Sequence, residues 1–386
     1  MLFDNTEKAY SLKSNSDLNK SLMIFKLMAN KNLVKLGSIF ANILIKLNLS
    51  VNFIFKETVF KQFCAGVDKK DTLQVVEKLS KNNICSYVHY ASENIVTEKD
   101  LDLSLKKTLS TFDFSKLNKS LSFVVFKPTS LGFSKIFEKD NLKKTLNENE
   151  TISFNKIKSR FISCCEKAKS LKVKLLIDAE ESWIQDSIDS LTESLMEKYN
   201  QKDVIVYTTV QMYRKDRFDY LNYLYNKALK GNFKVGIKLV RGAYIEKENN
   251  RSNLLGYDSP IFSSKKETDE SFDLAVDYIL NRLERISLFI ATHNEKSIYN
   301  VLEFMKKNLI SNNSEVWFSQ LYGMGDNITF NLANLNYNAV KYLPYGPIKE
   351  VIPYLIRRAE ENTFVTGQTS RELELIKKEK KRRKVI

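Results

Sequence analysis

Eight short runs of apolar and β-branched residues, each followed by a longer stretch with helical periodicity, constrain the fold more than any other feature of this chain. Near-continuous apolar runs are typical of parallel strands covered on both faces. Eight alternations predict an α/β fold, a (β/α)8 barrel of the TIM type. An open doubly wound sheet is the alternative, but no GxGxxG follows a predicted strand. The predicted strands are 84–90, 122–127, 173–178, 204–210, 235–240, 288–293, 316–320 and 339–345.

Both ends of the chain lie outside these alternations. Residues 1–80 predict an N-terminal helical arm, residues 81–370 the barrel, and residues 371–386 a basic C-terminal tail. The most apolar region, 36–56, is interrupted by Lys46 and by Asn and Ser residues. A membrane span needs ~20 nearly uninterrupted apolar residues. We therefore expect a packed helical segment there, no transmembrane helix, and no signal peptide, because the N-terminus lacks an apolar run.

The chain carries a formal net charge of +15, for which nucleic acid, an anionic membrane surface and plain solubility are candidate explanations. The densest basic run, 377–384, predicts a solvated tail or a contact with anionic lipid. Aromatic residues do not interleave with the basic ones, so we expect no nucleic-acid partner. The four cysteines and two histidines have no metal-ligand spacing, which predicts no metal site and a reducing compartment.

Polar side chains stand where the predicted strands end. In a barrel the C-terminal strand ends form one mouth, where ligands bind, so we expect these side chains to meet there. Each one alone is more often an ordinary loop residue. Asp178 can instead cap the next helix, and Lys127 can pair with it. The set comprises Glu93, Lys127, Asp178, Gln211, Arg241, His293, Gln320 and Tyr342.

Near the C-terminus, the stretch LIRRAEEN places Arg357 and Arg358 side by side on a predicted helix. They lie ~100° apart around the helix axis, and Glu361 is within reach of either. One interpretation is a surface ion pair worth a few tenths of a kcal/mol. The other is a bidentate clamp for a carboxylate. The residues alone leave both open.

Eight motifs, in this order, resemble the proline dehydrogenase family and its single-function, mitochondrial-type branch in particular. The resemblance extends from about Phe63 to Phe364 and implies a distorted barrel that holds FAD over its mouth. It implies oxidation of L-proline to Δ1-pyrroline-5-carboxylate, the first step of proline catabolism, by hydride transfer to flavin N5, with a quinone as electron acceptor. The motifs are FKPTSLG, LLIDAEES, VQMYRKD, IKLVRGAYIEKE, ATHNE, FSQLYGMGD, YLPYGP and YLIRRAEEN.

The resemblance also implies which residues bind proline. Arg357 and Arg358 resemble the pair that binds the carboxylate, and Glu361 a residue that steadies this pair. Lys127 resembles a lysine on the other side of the carboxylate, oriented by Asp178. Leu321, Tyr342 and Tyr354 resemble residues that pack against the pyrrolidine ring. Tyr244 resembles a residue at the pocket edge, and Glu93 resembles a gate residue that pairs with Arg357.

For FAD, the resemblance implies a set of residues on the fourth, fifth and sixth strands. Lys238 stands where the bifunctional members carry an arginine near flavin N5, so a cation is kept while bidentate geometry is lost. No residue is assigned as a nucleophile, acid or base, because the flavin supplies the redox chemistry. The FAD set comprises Gln211, Lys238, Val240, Arg241, Gly242, Ala243, His293 and Asn294.

Two alternatives remain within this interpretation. A hydroxyproline dehydrogenase of the same family is less favoured, because the bulky Tyr342 would crowd a 4-hydroxyl group. A Schiff-base lyase would use Lys127 or Lys238 as its amine. We expect a cytoplasmic protein that attaches peripherally to the inner face of the membrane, through its basic tail or through residues 36–56.

Overall fold

The computed structural model describes residues 1–46, 59–90, 96–312, 314–364 and 368–384, without the side chains of residues 40–46 and 360–364. Eight strands form a closed barrel in chain order, which confirms the predicted fold class. All eight predicted strands are present, with ends within two residues of the predicted ones. They are β1 (Cys85–Tyr90), β2 (Phe123–Phe126), β3 (Lys174–Ile177), β4 (Val206–Gln211), β5 (Val235–Val240), β6 (Ile286–Ala291), β7 (Val316–Leu321) and β8 (Asn338–Tyr345).

The chain divides into two compact units. The first unit comprises Met1–Asn94 and Ser319–Ile386, and the second comprises Ile95–Phe318. In the second unit, β2 to β6 pair in parallel with their successive neighbours. Its helices are α6 (Glu98–Ser115), α7 (Ser134–Asn141), α8 (Glu148–Leu171), α9 (Ser182–Tyr199), α10 (Arg217–Gly231), α11 (Ile245–Leu255), α12 (Lys265–Leu280) and α13 (Glu295–Lys307).

An aromatic cluster joins several strands of the second unit near their N-terminal ends. The Phe123 ring centroid lies 4.8 Å from that of Phe289, 4.9 Å from that of Trp317 and 5.9 Å from that of Tyr207. Lys174 Nζ lies 4.8 Å from the Trp317 ring centroid. These residues sit on β2, β4, β6, β7 and β3, and they close the end of the strands opposite to the one where barrel chemistry occurs.

The first unit contains β1 and β8, paired in parallel over six residues, and the helices of both chain ends. The N-terminal stretch is helical, in keeping with the predicted arm. Its helices are α1 (Thr6–Ala9), α2 (Asn15–Met28), α3 (Lys31–Lys46), α4 (Lys61–Phe63) and α5 (Lys69–Ser80), followed after β7 by α14 (Asp326–Asn334), α15 (Ile348–Phe364) and α16 (Gln368–Arg382).

The basic C-terminal run lies on a packed helix, Gln368–Arg382, in which the side chains of Lys377, Lys378 and Lys381 are exposed. Helix α16 buries Leu375 and Ile376 on one face, and it packs against α2. Beyond the helix, Arg383 donates to the carbonyl oxygens of Tyr10 at 2.8 Å and Lys13 at 2.7 Å. Apolar residues among the lysines, at helical spacing, allow one face to be buried while the basic face stays solvated.

The apolar region 36–56 is only partly described. Residues 36–46 belong to α3, whose Leu36 and Ile39 side chains are exposed, and residues 47–56 lie outside the described part of the chain. In the ranges that the structure covers, no helix is both long and apolar enough to cross a membrane.

Candidate active site

The end of β3 is held by an ion pair with β5. Asp178 Oδ1 accepts a hydrogen bond from Lys238 Nζ at 2.6 Å, and Lys238 is only 8% exposed. Lys238 is thus one partner of this aspartate, and the pairing with Lys127 that the sequence suggested stays a prediction. A charged hydrogen bond at low dielectric is strong, so the pair fixes the position of the Lys238 ammonium group.

Two residues beyond Asp178, Glu180 links the ends of β2 and β3. Its carboxylate accepts hydrogen bonds from the backbone N–H and the hydroxyl of Thr129, both at 2.7 Å. Burial raises the pKa of Glu180, and the positive charge of Lys127 partly offsets that effect. Burial, with the charges of Glu180 and its neighbours, also raises the pKa of Tyr244 well above its usual value. The sequence interpretation missed Glu180, although the acidic run in LLIDAEES was a signal.

Gln211, the last residue of β4, connects the loops on both sides of it. Its Nε2 donates to the Glu180 carbonyl oxygen at 2.8 Å, and its Oε1 accepts from the Ala243 N–H at 3.1 Å. Gly242 has φ +141°, and a Cβ there would lie 2.4 Å from the Tyr213 ring. The backbone conformation and this aromatic neighbour both require glycine.

Arg241 and Asn294 both make structural contacts at the ends of β5 and β6. The Arg241 guanidinium donates to Asp269 at 2.5 Å, to Thr292 Oγ1 at 2.8 Å and to Ser297 Oγ at 3.0 Å, which leaves two N–H groups for other partners. Asn294 caps α13 by accepting from two backbone N–H groups, and this cap explains why β6 ends at Ala291. His293 lies half-buried before that cap, and Val240 is the last residue of β5.

In the first unit, Tyr342 is surrounded by aromatic side chains. Its ring centroid lies 5.1 Å from that of Tyr87 and 6.1 Å from that of Tyr354, and its hydroxyl lies 2.7 Å from His89 Nδ1. Tyr342 lies within β8 and not at its end as predicted. His89 was missed as a site residue, although it is a polar residue near the end of a predicted strand.

Helix α15 carries the two arginines. It buries Val351, Ile352 and Leu355, as its periodicity predicted. Arg357 and Arg358 are half-buried, and the guanidinium carbon of Arg358 lies 5.4 Å from the Tyr354 ring centroid. One arginine of the pair thus lies beside Tyr354, one of the two tyrosines assigned to the proline ring.

Two predicted site residues fall outside what the structure describes. Glu93 lies in the undescribed residues 91–95, and Glu361 belongs to α15 with its side chain outside the described part. The gate assigned to Glu93 and the bracing role assigned to Glu361 therefore stay predictions.

The loop from β7 to α14, which begins just after Leu321, is fixed by buried charges. Lys341 Nζ donates to the carbonyl oxygens of Leu321 at 3.2 Å and Met324 at 2.5 Å, and it pairs with Asp326 at 2.9 Å. Burial lowers the pKa of Lys341, against the opposing effect of Asp326. Gln320, predicted at the mouth, instead accepts a hydrogen bond from Thr329 of α14 at 2.8 Å.

Both chain ends contribute to the same loop. Lys13 lies 3.4 Å from Asp326, and the Gly325 N–H donates to Glu372 Oε1 of α16 at 2.7 Å. Burial raises the pKa of Glu372 to about 7. In the turn YGMGD, the Gly325 N–H is therefore bound within the protein. No sequence pattern indicated this charge cluster.

A closed (β/α)8 barrel with cations and amide groups at its strand ends defines the class of protein: a barrel enzyme that binds a polar cofactor or substrate there. Residues 72–371 match the family model described as proline dehydrogenase. The chain belongs to the proline dehydrogenase family, as its motifs predicted.

Two curated relatives match most of this chain. The carbapenem antibiotics biosynthesis protein CarD of Pectobacterium carotovorum subsp. carotovorum is 36% identical over 82% of this chain and 83% of its own length. Mitochondrial proline dehydrogenase 1 of Dictyostelium discoideum is 33% identical over 98% of this chain and 74% of its own length, which supports the predicted branch.

Among solved structures, proline utilization A (PutA) from Bdellovibrio bacteriovorus, inactivated by N-propargylglycine, superimposes with a TM-score of 0.79 at 18% identity. The match covers 97% of this chain and 43% of that chain, so this chain spans less than half of the PutA length. At this identity the likeness supports the fold alone.

Proposed function

We propose that this chain oxidises L-proline to Δ1-pyrroline-5-carboxylate with FAD as the hydride acceptor. The observation that carries the proposal is the match of residues 72–371 to the proline dehydrogenase family. The geometry adds support, because Tyr342 and Tyr354 are neighbours in the first unit, and Asp178 and Lys238 form an ion pair in the second. The first step of proline catabolism is the corresponding metabolic role.

The chemistry of the donor set in the second unit suits FAD. Gln211, Lys238 and the loop at Gly242 and Ala243 offer an amide, an ammonium and backbone groups at adjacent strand ends. Such donors match the carbonyl oxygens and ring nitrogens of a flavin and the anionic pyrophosphate. When bound, FAD supplies the hydride acceptor. The remaining members of the assigned set are Val240, Arg241, His293 and Asn294.

The protein's own part in the reaction is positioning. Arg357 and Arg358 carry the charge needed to hold the proline carboxylate, and Leu321, Tyr342 and Tyr354 would pack against its ring. A fixed substrate orientation can supply a large share of rate acceleration. The resemblance also assigns Lys127, Asp178 and Tyr244 to proline binding, and these assignments belong to the proposal.

The test is the absorbance spectrum of the purified, FAD-reconstituted protein. We expect a yellow protein whose flavin absorbance is bleached by L-proline under anaerobic conditions. A protein that cannot be loaded with FAD, or whose loaded flavin does not respond to L-proline, would contradict the proposal.

A Schiff-base lyase is less well supported. The amine of such an enzyme must be deprotonated to attack a carbonyl group. Lys238 is ion-paired with Asp178 at 2.6 Å, which stabilises its protonated form. Borohydride trapping with a carbonyl substrate would detect an adduct, and we expect none.

We further propose that a quinone accepts the electrons and that the protein attaches peripherally to the cytoplasmic face of a membrane. The exposed Leu33, Leu36 and Ile39 on α3, beside Lys31 and Lys35, support an interfacial contact. Flotation with anionic liposomes tests it, and Leu33→Ser with Leu36→Ser should reduce binding. In the same assay, the double substitution Lys377→Glu with Lys381→Glu tests the exposed face of α16. Unchanged flotation of both double variants would exclude α3 and α16 as membrane-binding surfaces.

A further inference from the structure

His89 lies two residues after Tyr87 in β1, on the same face of the strand. Strands β1 and β8 pair in parallel, with Tyr87 opposite Tyr342 and His89 opposite Pro344. Side chains two residues apart in a strand share a face. The His89 imidazole is therefore diagonal to Tyr342, and its Nδ1 lies 2.7 Å from the Tyr342 hydroxyl.

Different contacts hold the two ends of the Tyr342 side chain. Tyr87 and Tyr354 pack near its ring, and Tyr87 is itself buried, with its hydroxyl 3.4 Å from Ser319 Oγ. His89 engages the hydroxyl, with ring centroids 5.9 Å apart. The hydrogen bond forms in either imidazole tautomer, because Nδ1 can accept from the phenol or donate to it. The hydrogen bond fixes the hydroxyl end of Tyr342, in addition to the packing around its ring.

We infer that His89 is a positioning residue that sets substrate selectivity by holding Tyr342 in place as a wall of the proline pocket. The inference rests on the proposed function, in which Tyr342 packs against the pyrrolidine ring. A tyrosine held in this way cannot swing aside to make room for a ring substituent. Its hydroxyl is engaged by His89, so it is less able to bind a polar substituent on the substrate. The site therefore favours unsubstituted five-membered cyclic amino acids over 4-hydroxylated ones.

The test compares three variants of the full-length, FAD-loaded protein with L-proline and trans-4-hydroxy-L-proline as substrates. His89→Leu removes the hydrogen bond, Tyr342→Phe removes its other partner, and His89→Asn keeps an amide near the Nδ1 position. We expect His89→Leu to raise the KM for L-proline ~5–10-fold, the equivalent of one hydrogen bond, with a smaller change in kcat. The preference for L-proline over its hydroxylated analogue should fall by a similar factor. His89→Asn should stay within about twofold of wild type.

The double variant His89→Leu with Tyr342→Phe decides whether the two residues act together. Each single variant breaks the same hydrogen bond. The rise in KM and the fall in substrate preference of the double variant should therefore be no larger than those of the more impaired single variant. Tyr345→Phe, on the same strand, is the matched control and should leave the substrate preference unchanged.

The outcomes separate the two hypotheses. The role of His89 would be overturned if the KM increases of the single variants multiply in the double variant, or if His89→Leu leaves the preference for L-proline unchanged. The proposal of proline oxidation would still stand in both cases. Wild-type protein that binds FAD but does not oxidise L-proline would overturn the proposed function and this inference with it.

If His89→Leu does not fold, His89→Asn and Tyr342→Phe carry the test. A loss of preference for L-proline in His89→Asn as large as that in Tyr342→Phe would contradict the inference. The affinity for a cyclic carboxylate analogue that lacks the ring nitrogen, titrated by flavin absorbance, should follow the KM values.

Discussion

The strand ends of the second unit and the β7–α14 loop of the first unit are stabilised in different ways. In the second unit, Asp178, Gln211 and Lys238 bond to one another's strands or to the loops that follow them, all within β3 to β5 of one sheet. In the first unit, Lys341 from β8 holds the loop that follows Leu321, and Lys13 and Glu372 from opposite ends of the chain add further contacts to this loop. Strand pairing therefore brings the first set together, and only docking of the terminal helices completes the second.

Substitutions in the two units should have different consequences. Changes at strand ends of the second unit should affect flavin binding. Changes around the loop and α15 should affect stability and proline binding while the flavin stays bound.

The largest effect is expected from Lys341→Met. The substitution leaves Asp326 buried with one fewer cation, and breaking a buried ion pair typically costs about 3–5 kcal/mol. Chemical denaturation should record that loss in the free energy of unfolding. Lys377→Met, at an exposed lysine of α16, is the control and should stay within about 0.5 kcal/mol of wild type. Equal stability of the two variants would mean that the buried cluster does not hold the first unit.

The next effect concerns Arg357→Met and Arg358→Met. Each should raise the KM for L-proline about 10–100-fold, because a hydrogen bond to a charged group is worth about 1.5–3 kcal/mol. Steady-state kinetics measures the change, and the flavin spectrum should show that FAD is retained. An unchanged KM in both variants would leave only the surface-helix interpretation of this stretch.

Glu372→Gln should change how stability depends on pH. Glu372 has a folded-state pKa of about 7, above its usual 4.5, because it is buried. Its contribution to stability is therefore fully present below pH 4.5 and is lost as the pH rises through 7. We expect the variant to be more stable than wild type at pH 8 by about 1–3 kcal/mol, with the difference shrinking towards pH 4.

Unfolding curves at several pH values measure this dependence. A stability difference between Glu372→Gln and wild type that does not vary with pH would contradict the assigned protonation.

The smallest effect should come from Gly242→Ala in the second unit. Gly242 has φ +141°, and the added Cβ would meet the Tyr213 ring, so we expect a loss of about 1–3 kcal/mol and weaker retention of FAD. Gly256→Ala is the matched control, because its φ is +70° and nothing lies within 4 Å of its added Cβ. If both variants retain FAD equally, the Gly242 loop does not shape the flavin site.

Much of the fold and part of the candidate site could be predicted from local sequence. Alternating apolar runs placed all eight strands, and the helix predicted for the stretch that carries Arg357 and Arg358 is present. His89, Lys341 and Glu372 could not be found in this way. Each matters through a partner distant in sequence, and a lone histidine, lysine or glutamate in a local window carries no sign of that partner.

The sequence by itself determined the order of strands and helices and the family to which the chain belongs, because periodicity and ordered motifs are properties of neighbouring residues. Tertiary structure alone decided that Asp178 pairs with Lys238, that His89 holds Tyr342, and that the basic C-terminus is a docked helix. The physical reason is burial. A charge or hydroxyl group acquires its partner, its strength and its pKa from the low-dielectric surroundings that only the folded chain creates.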